Sequence, residues 1–211
     1  MTSPRVVVLD WDGTVTEADS LNMVLEQFGD PHVYAEAEAA LGKGWTLRQV
    51  MDFEFSGLHE SLDVVVAWML ENVRIRRGFR EFAREFDPVI LSSSFVETIE
   101  PLLAREGVQV DVVANNVEAA AEGWRIRWRD DTVCAHCSES CKRAALPRDD
   151  EIVFVGDGYS DRCAALAADR VFARDGLAEY LEERGVAHEP FTDFVALGEA
   201  LRHLVSARLA R

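Results

Sequence analysis

The stretch that decides the fold is RVVVLDWDGT, residues 5–14. After its leading arginine it is β-branched or aliphatic up to Leu9, which is typical of a strand buried on both faces of a parallel sheet. Gly13 permits the chain to turn just after the strand ends. The sequence therefore predicts a central strand whose carboxyl end carries two acidic residues, Asp10 and Asp12.

Residues 17–87 have a helical pattern. LNMVLEQF, VYAEAEAAL, LRQVMDFEF, LDVVVAWML and FREFAREF repeat apolar residues at helical spacing, and Thr46 and Ser61 stand at N-cap positions. No strand pattern interrupts these segments, and no glycine- or serine-rich linker flanks them. We therefore predict a helical cap at 17–87, inserted between the first two core strands.

From Pro88 onward the pattern alternates between strands and helices. VILSSS and VDVVAN read as buried strands on either side of a helix, and EIVFVGD begins a further series. Residues 117–128 contain two short segments around Glu122-Gly123, which predicts an antiparallel hairpin at the sheet edge. Strands separated by helices imply an α/β fold with a Rossmann-like, doubly wound parallel sheet. We assign residues 1–16 and 88–211 to this core.

The composition excludes several kinds of partner. Asp and Glu total 38 against 22 Lys and Arg, and the net charge of −16 would repel nucleic acid and an anionic membrane surface. No apolar run approaches the roughly 20 residues that a membrane span needs. No stretch reads as an export signal beside the four cysteines, so we expect a reducing cytoplasm.

Reactive side chains stand at the predicted carboxyl ends of the strands, where open parallel sheets bind ligands. Asp10 is a candidate nucleophile toward phosphorus, because the acyl phosphate that it forms is readily hydrolysed. Asp12 can protonate the leaving alkoxide and later accept a proton from water. The Ser92 hydroxyl and nearby backbone amides can donate hydrogen bonds to phosphate, although Ser92 could also cap a helix. We predict Ser92 and Ser93 to bind substrate.

A lysine and two further acids complete the predicted charge arrangement. Lys142 could neutralise both Asp10 and the transferring phosphoryl group. Asp157 ends the VFVG strand and Asp161 lies one turn further on, so these carboxylates would repel without a cation. Mg²⁺ fits, since it prefers oxygen ligands in an octahedron. We expect Asp10, the backbone carbonyl of Asp12 and Asp157 to bind Mg²⁺. Asp161 would orient its neighbours.

In this order and spacing, DWDGTVT, VILSS, Lys142 and GDGYSD resemble the four motifs of the haloacid dehalogenase superfamily over residues 5–161. The inserted helices resemble the phosphoserine-phosphatase-like branch, in which a cap covers the site and selects the substrate. DWDGTVTEAD, the Cys141-Lys142 pair and RVFARDGLAEYLEERG are similar to the 2-hydroxy-3-keto-5-methylthiopentenyl-1-phosphate phosphatases of methionine salvage. The resemblance implies a magnesium-dependent phosphatase of a small phosphomonoester, and a homodimer.

Two alternative functions remain open. Asp19 stands where phosphoserine phosphatases carry a glutamate that meets the substrate amine, and its shorter side chain disfavours phosphoserine. We still place Asp19 among the substrate-binding residues. A phosphoserine phosphatase would present groups from the cap for an amino acid's carboxylate and ammonium. A phospho-accepting signalling domain would also combine acids, magnesium and a lysine on a doubly wound sheet, but the cap and Asp12 argue against it.

The segment CAHCSESCK is the part of the sequence that this function does not explain. Cys134, Cys137 and Cys141 have the C-x2-C-x3-C spacing of a zinc site, but a fourth ligand is missing locally, since His136 lies between two of the cysteines. Reduced thiols are the favoured interpretation in a cytoplasmic protein, with structural zinc and a disulfide as alternatives.

Overall fold

A seven-stranded sheet forms the centre of the computed structural model, which describes residues 5–148 and 150–209. The strands are β1 (Arg5–Leu9), β2 (Val89–Phe95), β3 (Val112–Glu118), β4 (Arg125–Arg127), β5 (Glu151–Gly156), β6 (Arg170–Ala173) and β7 (Glu189–Pro190). Their order is β4-β3-β2-β1-β5-β6-β7, and every neighbouring pair is parallel except β3 and β4. This confirms the predicted Rossmann-like, doubly wound sheet.

Helices cover the sheet and fill the segment between its first two strands. They are α1 (Ser20–Phe28), α2 (Pro31–Ala40), α3 (Leu47–Ser56), α4 (Leu62–Asn72), α5 (Phe79–Phe86), α6 (Val96–Glu106), α7 (Arg162–Ala165), α8 (Asp175–Glu183) and α9 (Phe194–Leu209). Helices α1 to α5 follow β1 and precede β2, and we call this segment the helical insertion. Of the helices described, none has the length and apolar character that crossing a bilayer requires.

The central strand is buried on both faces, as its β-branched run predicts. Val7 and Leu9 pack into one layer of the core, and Val8 packs into the other. In the first layer, Phe79 of α5 meets Phe194 of α9 with ring centroids 5.2 Å apart. Burying β1 from both sides fixes the position of the residues that follow it.

The helical insertion leaves and rejoins the core through a short antiparallel contact. Glu17 N donates to Arg74 O at 2.9 Å, and Arg76 N donates to Val15 O at 2.8 Å. The two crossing segments therefore hold each other immediately after the β1 turn. The division into a core at 1–16 and 88–211 and a cap at 17–87 stays a prediction, and residues 1–4, 149 and 210–211 lie outside the described residues.

Two helix starts in the insertion were predicted from their caps. Thr46 makes a full capping box at α3, in which Gln49 N donates to Thr46 Oγ1 at 3.3 Å and Thr46 N donates to Gln49 Oε1 at 2.9 Å. Ser61 occupies the N-cap position of α4 but makes no side-chain capping bond. The first cap therefore stabilises its helix end more than the second.

The edge hairpin is confirmed, with β3 antiparallel to β4. The predicted strand VDVVAN begins later than expected, at Val112, and continues to Glu118 as one strand that also forms the first arm of the hairpin. Val117 N donates a hydrogen bond to Glu97 Oε2 at 3.0 Å, and Arg127 forms an ion pair with Glu118 across the two strands at 2.7 Å. These long-range contacts extend β3 beyond the segment that its local pattern indicates.

Candidate active site

Asp10 lies at the carboxyl end of β1, where the sheet itself fixes it. Its backbone N–H donates to Val155 O on β5 at 2.9 Å, and its Oδ1 accepts from Trp11 N at 2.6 Å. Only 4% of the residue is exposed. Burial and the charge of Asp161 raise the pKa of Asp10 above its ordinary value, while Lys142 opposes that rise.

The turn that follows β1 brings Asp12 back toward the same edge. Gly13 adopts a φ of +68°, and a Cβ at this position would lie 2.2 Å from Asp157 Oδ2. A side chain is therefore excluded both by the left-handed backbone and by the neighbouring carboxylate. Thr16 closes the turn, because its hydroxyl accepts from Gly13 N at 3.1 Å and its N–H donates to Trp11 O at 3.0 Å.

Arg76, between α4 and α5 near the C-terminal end of the helical insertion, stabilises this turn with hydrogen bonds. Its guanidinium donates to Thr14 O at 2.8 Å, to Gly13 O at 2.6 Å and to Thr16 O at 3.0 Å. Arg76 thereby gives three backbone carbonyls of the turn a hydrogen-bond donor. Sequence reasoning missed this residue, because three arginines occur at 74–77 and nothing local distinguishes the one that points inward.

The Asp12 carboxylate is held by two serines that sequence reasoning also missed. Ser20 donates to Asp12 Oδ1 with its N–H at 2.9 Å and with its hydroxyl, and the Ser94 hydroxyl donates to Asp12 Oδ2. Ser20 begins α1, whereas Ser94 lies on β2. Asp12 thus contacts both the insertion and the core.

Lys142 lies between two carboxylates in the floor of the site and is 2% exposed. Its Nζ donates to Asp10 Oδ1 and, at 2.7 Å, to Asp161 Oδ1. Burial alone would lower the pKa of Lys142, but the charges of Asp10 and Asp161 raise it above its ordinary value. The ammonium therefore stays charged, and the structure makes the contact between Lys142 and Asp10 that was predicted.

Asp161 ties the lysine to the loop after β5. Its Oδ2 accepts from Asp157 N at 3.0 Å and from Gly158 N at 3.1 Å, while its Oδ1 accepts from Lys142. Asp157 in turn accepts from the Thr14 hydroxyl at 3.1 Å. Burial and the charge of Asp161 raise the pKa of Asp157 to about 6.

The carboxylate oxygens of Asp10, Asp157 and Asp161 lie within 4.8 Å of one another. Lys142 supplies one positive charge to these three acids. The donor set therefore fits a hard divalent cation, because oxygen ligands crowd at a site where negative charge exceeds positive charge.

The predicted phosphate-binding serines lie beside this cluster. Ser92 is 1% exposed and its Oγ accepts from Ser94 N at 2.9 Å. The Ser93 carbonyl accepts from Asn115 Nδ2 at 2.6 Å, which fixes the end of β2. Both serines line a cavity of about 230 Å³ that also contains Asp10, Asp12 and Asp157.

Asp19 lies at the mouth of this cavity and caps α1, accepting from Asn22 N at 2.9 Å. Water reaches its side chain, yet partial desolvation and then the charge of Asp12 raise the pKa of Asp19 to about 7. Its capping bond is the local reason for its position.

The insertion covers the cavity with apolar and acidic side chains. The apolar lining includes Leu21, Leu25, Leu47, Val50, Met51 and Phe55. Glu54 is buried among them, and within the described part of the chain its Oε1 has no hydrogen-bond partner. Burial and then the charge of Glu38 raise the pKa of Glu54 to about 8. Among the described residues that line the cavity, none is a lysine, arginine or histidine.

The three predicted cysteines are joined by a fourth, Cys163 of α7. All four sulfur atoms lie within 4.8 Å of one another. Sequence reasoning missed Cys163 because it lies in another motif, two residues beyond Asp161.

Comparison with known proteins identifies the family of the chain. The family model for haloacid dehalogenase-like hydrolases matches residues 7–166. A 2-hydroxy-3-keto-5-methylthiopentenyl-1-phosphate phosphatase of Geobacillus kaustophilus is 29% identical, covering 97% of this chain and 98% of its own, and one of Bacillus mycoides is 27% identical over 96% and 98%.

Solved structures of other proteins share the fold of this chain. A phosphoserine phosphatase described as a phospho-aspartyl intermediate analogue superposes with a TM-score of 0.68 at 13% identity, covering 96% of this chain and 99% of that one. The chain therefore belongs to the haloacid dehalogenase-like hydrolase family and is a phosphatase.

Proposed function

We propose that the protein hydrolyses a small phosphomonoester through a phosphorylated Asp10, with Mg²⁺ bound, and that its substrate is the enol phosphate of methionine salvage. The observation that carries this proposal is the buried Lys142 bridge between Asp10, which lines the cavity, and Asp161. A cation in contact with a buried carboxylate favours its ionised form, and an ionised carboxylate can attack phosphorus.

The first half-reaction transfers the phosphoryl group to the protein. An Asp10 oxygen attacks phosphorus while the bond from phosphorus to the ester oxygen breaks. Asp12 gives its proton to the departing oxygen, and the alcohol leaves. The Ser20 and Ser94 contacts support this role, because they hold the Asp12 carboxyl in one orientation inside the cavity.

The second half-reaction releases phosphate. Asp12, now ionised, takes a proton from a water molecule whose oxygen attacks phosphorus. The bond between phosphorus and the Asp10 oxygen breaks, and the Asp10 carboxylate is restored. Lys142, Ser92 and the amides at the end of β2 donate to the oxygens that carry the transferring charge.

Asp10 and Asp157, with the Asp12 backbone carbonyl, would hold the magnesium ion. Bound there, Mg²⁺ supplies charge that polarises the phosphoryl group and offsets the crowded carboxylates. Asp161 is already occupied by Lys142 and by two backbone amides, which supports an orienting role rather than a ligand role. Gly13 supports the site by leaving room for Asp157.

The cavity lining supports a substrate with an apolar end. The name of the curated relatives describes a molecule with a methylthio group, a hydroxyl and a keto group. The apolar side chains of α1 and α3 suit a methylthio group, and a protonated Glu54 would donate a hydrogen bond to an oxygen of the substrate. Asp19 would accept one.

Phosphoserine fits the same cavity less well. Its ammonium could pair with Asp19, Glu38 or Glu54, but its carboxylate would have no basic partner among the described lining residues. Burying a carboxylate against acids without a partner is costly. The cavity covering also disfavours a signalling domain, because a phospho-acceptor read by a partner protein must be accessible to it. The cytoplasmic location and the homodimer stay predictions.

The experiment that tests this proposal measures magnesium-dependent phosphate release from a panel of small phosphomonoesters, including the methionine-salvage intermediate and phosphoserine. We expect kcat/KM for the enol phosphate to exceed that for phosphoserine by at least about 100-fold, the discrimination expected when one substrate leaves a buried charge unpaired. Preference for phosphoserine would contradict the proposed substrate, and no turnover of any ester would contradict the proposed function.

A further inference from the structure

We propose that the protein contains a structural zinc site beside the active site, with thiolate ligands from four cysteines: Cys134, Cys137, Cys141 and Cys163. Three of these residues come from the segment between β4 and the 3₁₀ helix Lys142–Ala145, and the fourth comes from α7. The site is independent of the proposed substrate and uses none of the oxygen ligands proposed for magnesium.

The spacing of the sulfur atoms fits tetrahedral zinc. A Zn–S bond of about 2.3 Å gives a sulfur–sulfur edge of about 3.8 Å in a regular tetrahedron. Cys134 Sγ and Cys163 Sγ lie 3.7 Å apart, and all four sulfur atoms lie within 4.8 Å of one another. A disulfide would require about 2.05 Å. Four thiols converge at metal-binding distance, which fills every position of a structural site.

The loop around Cys134 has contacts that suit a metal-bound thiolate. His136 N donates to Cys134 Sγ at 3.4 Å, and backbone N–H donors to sulfur stabilise the thiolate form. The turn is closed by Ser138 N, which donates to Cys134 O at 2.8 Å, with Ser138 at a φ of +59°. His136 itself is exposed and lies outside the cluster of sulfur atoms.

The segment that carries three of the cysteines is an unusually long connection. Residues 128–141, all of them described, contain neither helix nor strand. A connection longer than about 12 residues without secondary structure is uncommon in a compact domain. A metal bound by the second half of this segment, at Cys134, Cys137 and Cys141, and by α7 would fix it where no backbone ladder does.

The position of the cluster gives zinc a role in the reaction without contact with substrate. Lys142 directly follows Cys141, and Cys163 lies two residues after Asp161. These are the two residues that hold Asp10 through the Lys142 ammonium. The cysteines would therefore act as positioning residues for the lysine.

The test measures zinc in protein purified under reducing conditions without chelators, by elemental analysis and by X-ray absorption at the zinc edge. We expect about one zinc per chain, with four sulfur neighbours. Zinc should be lost in Cys163→Ser and retained in His136→Ala, the control from the same loop. Cobalt in place of zinc should give the strong visible bands of a tetrahedral thiolate site.

Measurements on the wild type keep this test valid if Cys163→Ser does not fold. Wild-type protein without zinc, with four thiols that react freely in the native state, would overturn the proposal. A Cys134–Cys163 disulfide found by mass spectrometry would also overturn it. Zinc with oxygen neighbours would do the same, because that ion would occupy the carboxylate cluster.

Discussion

Two clusters of metal-ligand type lie side by side in this protein, and they are built in opposite ways. In the oxygen cluster, Asp10 and Asp157 directly follow strands β1 and β5, and Asp161 lies in the short 3₁₀ helix Tyr159–Asp161 after β5. The sulfur cluster is made by a loop without secondary structure and a short helix. Lys142 lies where the two meet, next to Cys141 in sequence and between Asp10 and Asp161 in space.

The two kinds of ligand suit two different kinds of metal site. Three carboxylates with one lysine leave room for substrate oxygens around a hard cation, which is the arrangement of a catalytic site. Four thiols leave no open position around a soft cation, which is the arrangement of a structural site. On the proposed mechanism, the oxygen cluster would perform the reaction, and the sulfur cluster with zinc bound would hold Lys142 in place.

The largest expected effect comes from removing the nucleophile. Asp10→Asn should lower kcat by more than about 10³-fold, because the amide cannot form the acyl phosphate. Steady-state kinetics at saturating substrate measure this loss. Asp63→Asn, an exposed carboxylate on α4, is the control and should leave kcat unchanged. Activity of Asp10→Asn within tenfold of the wild type would mean that another group attacks phosphorus.

Removing Lys142 should damage both the reaction and the fold. Lys142→Met leaves buried carboxylates unpaired, so we expect kcat to fall by about 10²- to 10³-fold and the free energy of unfolding to fall by about 3–5 kcal/mol. Denaturant titration and kinetics measure the two effects. Lys43, the other lysine of the chain, is exposed, and Lys43→Met should change neither quantity. If Lys142→Met were as stable as the wild type, the lysine would not be balancing these acids.

Removing each metal separately should distinguish the two clusters. Withholding magnesium should lower activity more than about 100-fold while leaving the melting temperature nearly unchanged. Removing zinc should lower the melting temperature by about 5–10 °C, and activity should fall as Lys142 loses its position. Calorimetry and kinetics on matched samples would show this. A single metal that controlled both quantities would remove the distinction.

Weakening the hydrogen bonds from Arg76 to the turn after β1 should have a smaller effect. Arg76→Lys cannot reach three carbonyls at once, so we expect kcat to fall about tenfold and the free energy of unfolding to fall by about 1–2 kcal/mol. The neighbouring Arg77 is exposed and pairs with Asp193 at 3.5 Å, so Arg77→Lys is the matched control. Equal effects from the two substitutions would show that Arg76 has no special role.

The smallest expected effect is a pH-dependent change in the free energy of unfolding, caused by Glu54 in the cavity wall. Glu54 has a folded pKa of about 8, above the ordinary 4.5, so its protonated form is favoured on folding. Its contribution to stability is therefore lost as pH rises from 4.5 through 8. Glu54→Gln should be more stable than the wild type by about 1–2 kcal/mol at pH 9 and no more stable at pH 4. Glu36→Gln, exposed on α2, should show no such dependence in denaturant titrations.

The oxygen cluster could be predicted from the sequence because each member ends a recognisable strand or follows one. Asp10 and Asp157 stand directly after β-branched runs, and parallel strands bring their carboxyl ends to one edge. The edge hairpin was predicted for a similarly local reason. Only the start and end of β3 differed, since the contact from Glu97 lies outside the local pattern.

The remaining site residues could not be predicted, because distant contacts select them. Ser94 rather than Ser92 reaches Asp12, although both belong to one run of three serines. Arg76 is one of three neighbouring arginines, and only the tertiary fold turns it inward. Cys163 completes the sulfur cluster from α7, outside the C-x2-C-x3-C segment, so the spacing of the cysteines does not reveal it. In each case the sequence shows the residue type, but only the folded structure shows which residue it contacts.

The most direct test of the central claim is to trap the phosphorylated enzyme during turnover. Rapid mixing with substrate, quenching and borohydride reduction convert an aspartyl phosphate to homoserine, which peptide mass spectrometry locates. We expect homoserine at position 10 alone, formed and lost at rates that match turnover. No modification at Asp10, or modification at another carboxylate while phosphate is released, would contradict it. An Asp10 adduct that outlasts turnover would do so as well.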